Sequence, residues 1–338
     1  MTASRPTLDE LVAADPSLDE LRSGTPNPST CLERLPDRYF GEFDRETIAE
    51  HIRWLCKLTA ERPYRLDVTP LTDDADRVSI TVISFDVEGM LGLLTGVLGA
   101  ARFDIQMGSV YTFSRESSPA PARTIKRRGR HTRSRQGSAT VIPSRRIVDR
   151  FVCTVPEGEP MDRLIARLSK SLDAVLPHML PGGDRERARR MVNEAVAERL
   201  RQDESAAGGG LYPVDLTFET GDDSVTRMAI VSEDTPFFLY SLATALSLQG
   251  ISIEAVTIRT EDRLIRDELE LAERSGEPIT DANRLDRIRL SVLLTKQFTY
   301  FLGQAPDPYA ALVRFESMSH EIVKAAEADG LTGVLSQP

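Results

Sequence analysis

Two stretches of the chain repeat one pattern of apolar and polar positions. Residues 78–114 open on a β-branched run with Val78, Ile80, Val82 and Ile83, and residues 226–262 open on Met228, Ile230 and Val231. Such runs predict buried strands. A polar turn follows, Asp86-Val87-Glu88-Gly89 in the first copy and Glu233-Asp234-Thr235-Pro236 in the second. Asp or Thr at that place can cap a helix, and proline suits a first helical turn. Apolar residues then recur at helical spacing: Met90, Leu91, Leu94, Val97 and Leu98, and likewise Phe238, Leu239, Leu242, Ala245 and Leu246. They predict one amphipathic helix per copy. Strand-like alternation returns at Ile105, Met107 and Ser109, and at Ile253, Ala255 and Thr257. An offset of 148 residues superimposes the copies without a gap, laying Asp86 on Asp234, Leu94 on Leu242 and Thr112 on Thr260. A period this long means two copies of one domain, not a solenoid.

Further elements continue each copy. Ile147–Cys153 reads as a third strand, residues 161–180 as an amphipathic helix, and residues 184–203 as a very charged helix ended by Gly208-Gly209-Gly210. Residues 211–219 read as the fourth strand of the first copy, which Pro213 moves to an edge. The second copy has Arg266–Leu271 as its third strand and helices over about 281–303 and 307–328, with no fourth strand visible. The expected plan is a helical lead-in and linker over 1–77, a first domain over 78–220, a second over 225–303, and a C-terminal helix and tail over 304–338.

Composition places the chain among globular proteins, with 41% hydrophobic and 28% charged residues in 338. No run reaches the roughly 18 apolar residues of a membrane span, and the N-terminus has no apolar signal-peptide core. The expectation is a cytoplasmic protein with no membrane partner. Cys31, Cys56 and Cys153 are far apart in sequence, which excludes a disulfide framework and fits a reducing compartment. The net charge is −10, yet residues 115–146 hold ten Lys/Arg against one acidic residue. With almost no large apolar side chain, this strip reads as a solvated, flexible insertion, the alternative being a docking element for phosphate or a partner. It has no aromatic platform for bases, so nucleic acid is not expected as a partner.

The usual catalytic signatures are missing. There is no Walker lysine motif, no Rossmann glycine fingerprint, and no Gly-Ser turn before Asp73-Asp74-Ala75-Asp76, as a nucleotidyltransferase would need. His51, His131, His178 and His320 are isolated, Cys153 reads as a small buried hydrophobe, and Trp54 reads as a core anchor. No catalytic residue, metal site or cofactor is nominated.

The strand–turn–helix–strand unit resembles the ACT domain, whose turn pattern Asp-x-Pro-Gly-Leu-Leu stands here as Asp86-Val87-Glu88-Gly89-Met90-Leu91 and Asp234-Thr235-Pro236-Phe237-Phe238-Leu239. The first copy keeps Gly and loses Pro; the second keeps Pro and has Phe237 in place of Gly. The resemblance implies an α+β protein of two ferredoxin-like βαββαβ domains with helical extensions, sensing a small molecule such as an amino acid. Residues 296–302 (KQFTYFL) and 305–312 (APDPYAAL) resemble the stretch before the nucleotidyltransferase domain of glutamine synthetase adenylyltransferase-like proteins. Residues 35–40 and 51–55 suit the N-terminal region of the same proteins. That likeness implies nitrogen metabolism, with a nucleotidyltransferase or glutamine synthetase as candidate partners and homo-oligomers as a further option.

The expected ligand site follows from the turn. A helix N-terminus offers unpaired N–H groups to a carboxylate, Gly89 admits close approach, and Asp86 can take an ammonium group. The nominated residues are Asp86, Gly89, Met90 and Leu91, with Ile105 and Gln106 beside that helix or across a partner domain, and Asp234 and Thr235 in the second copy. The competing reading is that Asp86 and Asp234 only cap helices and that Phe237 fills the second site. Three functions stay open: an effector-binding regulator, the non-catalytic front part of a split or truncated enzyme, and an interaction module docking through the basic strip.

Overall fold

The computed structural model describes residues 5–71, 76–114, 143–202, 213–220, 225–261 and 264–328. Three short helices come first: α1 (Leu8–Ala14), α2 (Pro28–Arg34) and α3 (Arg45–Lys57). Each starts where a polar side chain takes up a first-turn amide, from Thr7, Asn27 and Asp44 respectively. On α3, Ile48, Ile52 and Leu55 are buried along one stripe. The chain continues with β1 (Tyr64–Pro70), β2 (Arg77–Phe85), α4 (Met90–Ala100), β3 (Asp104–Thr112), β4 (Arg146–Thr154), α5 (Met161–Met179) and α6 (Arg185–Gln202). The second half holds β5 (Asp215–Thr220), β6 (Thr226–Glu233), α7 (Phe238–Leu248), β7 (Ile251–Glu261), β8 (Leu264–Glu273), α8 (Ala282–Leu302) and α9 (Pro308–Ala328).

The eight strands of the described residues form one antiparallel sheet in the order β1-β2-β4-β3-β7-β8-β6-β5. Each half therefore contributes four adjacent strands, and the mixed helix-and-sheet class matches the expectation. The fourth strand does not. Residues 211–219 were expected to complete the first half, but β5 pairs with β6, at the far edge of the second half. The matching place in the first half is taken by β1, which lies in the segment expected to be helical lead-in and linker. In both halves the outermost strand precedes the first expected strand instead of following the last helix. A short link between antiparallel neighbours makes that pairing local. The segment after α5 forms α6, which buries Ala188, Val192, Val196 and Leu200 in the helical layer.

The halves meet along β3 and β7, with Met107 opposite Arg259, Gly108 opposite Ile258 and Ser109 opposite Thr257. The packing of α4 on α7 repeats itself under the offset of 148. A Cβ on Gly92 would lie 3.0 Å from Thr244 Oγ1, and one on Gly96 would lie 2.7 Å from the Tyr240 ring. Gly96 and Thr244 are one equivalent pair, and Gly92 and Tyr240 are the other. A Cβ on Gly99 would meet Phe237 at 2.6 Å, and one on Gly89 would lie 3.4 Å from Ser247 Oγ, again reciprocally. Reciprocal contacts of this kind are the mark of a two-fold interface, here within one chain.

The two outer faces of the sheet differ. Over the first half, Tyr39 and Phe43 from the segment before α3 pack on Tyr111, and the buried His51 ring lies 2.9 Å from the Tyr39 hydroxyl. Trp54 is only half-buried, stacked under Arg65, so it borders this layer and does not anchor its core. Cys31 and Cys56, far apart in sequence, are brought by α2 and α3 to 3.7 Å between sulfurs, as free thiols. Cys153 is fully buried, as expected. Over the second half, Arg227, Arg259, Arg266 and Glu268 are exposed. Most of the basic strip lies outside the described residues, but its last two arginines are not solvated. Arg146 is buried and donates to the Leu55 carbonyl at 2.9 Å, and Arg145 points into the seam.

The glycine contacts carry a prediction whose sign is diagnostic. Helix propensity alone favours Gly96→Ala by about 1 kcal/mol. The clash with Val192 (2.6 Å) and Tyr240 reverses this, so Gly96→Ala is expected to destabilise by about 1–3 kcal/mol in urea unfolding. Gly41→Ala, which meets no atom within 4 Å, is expected to leave the midpoint almost unchanged.

Candidate functional site

Two cavities lie on the seam and are exchanged by the two-fold relation. The first, of about 250 Å³, is walled by the β2–α4 turn, Thr112, Arg145 and Asp149 from one half, and by Ala243, Ser247 and Ile251–Ile253 from the other. The second, of about 410 Å³, is walled by the β6–α7 turn, Thr260 and Asp267, and by Thr95, Gly99 and Phe103–Ile105 across the seam. A strand start from one half thus closes over the turn of the other in both cases.

The turn of the first cavity is built around Gly89, which adopts φ +84 as the residue before α4. No side chain caps α4 or α7 among the described residues. The expectation that Asp86 and Asp234 serve as caps therefore fails. Met90 N–H donates to the Val87 carbonyl at 3.0 Å within the turn, which leaves Leu91 and Gly92 as the first-turn amides with no side-chain cap among the described residues. Asp86 instead meets Arg145 Nε at 3.0 Å, and Arg145 reaches Glu254 of the second half at 2.5 Å. Ser252 donates to the same Glu254 at 2.7 Å. A β-bulge between Ile253 and Ala255 sets Glu254 apart from the regular ladder. The chain Asp86–Arg145–Glu254–Ser252 bridges the seam, and Arg274 with Glu88 makes a second crossing.

Asp149 is the group with most at stake. It sits on β4 between Val82 of β2 and Val110 of β3, with no exposed surface. Neither of its carboxyl oxygens has a hydrogen-bond partner among the described residues, and the Thr112 hydroxyl beside the same cavity has none either. A buried polar group left so costs free energy that a donor from a ligand would recover. Burial pushes the Asp149 carboxyl well above the usual range, and the charge of Asp86 pushes it the same way.

The second cavity keeps the plan and changes the charges. Asp267 stands opposite Ile230 as Asp149 stands opposite Val82, and these two valine and isoleucine positions are equivalent under the offset of 148. Burial lifts the Asp267 carboxyl to about 7, with Asp234 adding to the rise. A buried cation lies beside this turn, although it is not among the residues that wall the cavity. Lys296 of α8 is buried, donates to the Glu233 carbonyl, and lies 4.3 Å above the Phe238 ring. Asp234 and Asp267 both attract it, while burial draws its ammonium group down to about 8. Phe237 does not fill the space as expected: its ring lies against Gly99 and forms a wall of the larger cavity.

The expected site residues divide between the two cavities. Asp86, Gly89, Met90 and Leu91 line the first; Ile105, Asp234 and Thr235 line the second. Ile105 was expected near Asp86 or across a partner domain, and it is the crossing that the structure realises. Gln106 lines neither cavity. It donates to Asp104 at 2.7 Å, within its own strand. Sequence reasoning missed Arg145, Asp149, Glu254, Asp267 and Lys296. Asp149 did leave a signal, because it alternates with Ile147, Phe151 and Cys153 on an otherwise apolar face. Among the described residues no cluster of metal-ligating side chains can hold an ion, and no helix is long and apolar enough to cross a membrane.

No family model matches this chain, and no curated protein matches it. The cavities must be read from their own chemistry.

The raised Asp149 carboxyl fixes a pH dependence. The folded chain keeps this proton in the range above about pH 4 where an unfolded aspartate loses it. Stability from this group is therefore fully present below the ordinary carboxylate range and is lost as pH rises above it. Asp149→Asn, always neutral, is expected to raise the melting temperature at pH 8 and to change it little near pH 4. An equal effect at both values would contradict the assignment.

Proposed function

We propose that the protein is a non-catalytic regulator that binds a small amino-acid effector in the first seam cavity. The observation that carries this reading is the composite wall: a ligand there touches the β2–α4 turn of one half and Ile251–Ile253 of the other. Such a ligand binds best when the halves hold one particular relation, so its presence shifts the populations of those relations. The uncapped start of α4 suits the ligand's carboxylate, and the resemblance of both turns to the ACT pattern supports the same use. A cavity of about 250 Å³ fits a molecule of amino-acid size. In this reading each half is an ACT-like domain with its edge strand at the front, and the protein serves nitrogen metabolism through a partner that reads its state.

A second reading has one specific observation in its favour. Leu290, Leu293, Leu294 and Phe301 on α8 and Met318 on α9 are exposed. Phe301 lies within the segment resembling the stretch before a nucleotidyltransferase domain, and the three leucines just precede it. The protein is then the regulatory part of such an enzyme, with the catalytic domain seated on α8 and α9.

A melting screen over the twenty amino acids tests the regulator directly, glutamine first. A ligand that binds only the folded chain stabilises it by about 2.7 kcal/mol at a concentration one hundred times its dissociation constant. At least one amino acid is expected to raise the melting temperature in a concentration-dependent way. No shift with any of them would remove the proposal.

A further inference from the structure

The two cavities share a plan but not a charge balance, and the difference identifies what the first one lacks. Beside the second, the buried ammonium group of Lys296 donates to the carbonyl of Glu233, one residue before Asp234. In the first, Asp86 is held by Arg145, while Asp149 has no partner for either oxygen among the described residues. Arg145 is itself shared with Glu254, so its charge is already divided between two carboxylates at the mouth. The Thr112 hydroxyl, diagonal to Asp149 in the register of β3 on β4, likewise has no partner among the described residues. Once it gives up its proton to solvent as an ammonium group arrives, a fully buried acid offers two acceptors, and with a hydroxyl unpartnered among the described residues it matches a primary ammonium group with three donors.

We propose that the first cavity takes the protonated primary amine of its ligand on Asp149 and Thr112, and that the second, with the buried Lys296 ammonium group beside it, takes none. The inference rests on reading the first cavity as an effector site, and it adds which atoms recognise the ligand and how many ligands one chain holds. The ligand class is a small primary ammonium compound carrying a carboxylate at the α4 end.

Titration calorimetry on the full chain tests this, using the twenty amino acids and, for each one that binds, the 2-hydroxy acid of the same side chain. The expected results are one amino acid bound per chain, at least tenfold weaker binding of the hydroxy acid, and at least tenfold weaker binding of the amino acid to Asp149→Asn. The variant keeps a melting temperature at or above that of the parent, so its lost affinity does not reflect unfolding. Lys296→Ala gives a second readout: propylamine is expected to raise the melting temperature of that variant more than that of the parent, and an equal rise in both would overturn the inference. Two amino acids bound per chain of the parent would overturn the inference. Equal binding of the hydroxy acid, or unchanged affinity in Asp149→Asn, would overturn it while leaving the effector reading intact. If neither amino acids nor hydroxy acids bind, the effector reading itself falls.

Discussion

The edge-to-edge pairing of β3 with β7 fixes where everything else must go. Once those two strands run antiparallel with Gly108 opposite Ile258, the helices behind them have to pass within close reach. Only small residues allow it, and α4 supplies Gly92, Gly96 and Gly99 along the contact with α7. The same closeness carries the start of β7 over the β2–α4 turn and the start of β3 over the β6–α7 turn. Neither cavity would exist in one half alone. The seam is at once the main tertiary constraint and the place where a ligand has two walls to touch.

Symmetry sets this plan, and its departures set the chemistry. Gly89 and Phe237 are equivalent, and both take a left-handed backbone at the start of a helix. Glycine does so freely, whereas phenylalanine is held there by its ring packing on Gly99. Glu254 and Gln106 are equivalent bulge residues; the first crosses to Arg145, and the second turns back to Asp104. Among the described residues, no cationic side chain hydrogen-bonds Asp149 as a counterpart to Lys296. The first cavity holds a carboxyl with no hydrogen-bond partner among the described residues, and the second lies beside a buried ammonium group. Retaining an unpaired buried acid lowers stability, which is the usual mark of a group kept for binding.

The repeat, both turns and most helices were legible in the sequence because periodicity is local. The helix expected over 161–180 spans Met161–Met179, and that over 281–303 spans Ala282–Leu302. What escaped was non-local. β1 alternates Tyr64, Leu66 and Val68 with Arg65, Asp67 and Thr69, but it sits before the apolar run that announces the repeat. Asp149 and Asp267 are equivalent in the sheet yet lie 118 apart and not 148, because the basic strip lengthens only the first of the two β-hairpin loops. A gapless superposition cannot find that pair. Arg145 was hidden inside a stretch whose composition signals solvation, although its own side chain closes the seam. The cysteine pair was hidden too, since only the packing of α2 on α3 brings the sulfurs near.

The central claim is that one ligand is held by both halves at once. Hydrogen–deuterium exchange with and without the amino acid that shifts melting most reads this directly. The account predicts that amides of residues 86–92 and 251–253 gain protection together at the same ligand concentration. Protection confined to one of those two segments, with the other unchanged at saturation, would contradict it.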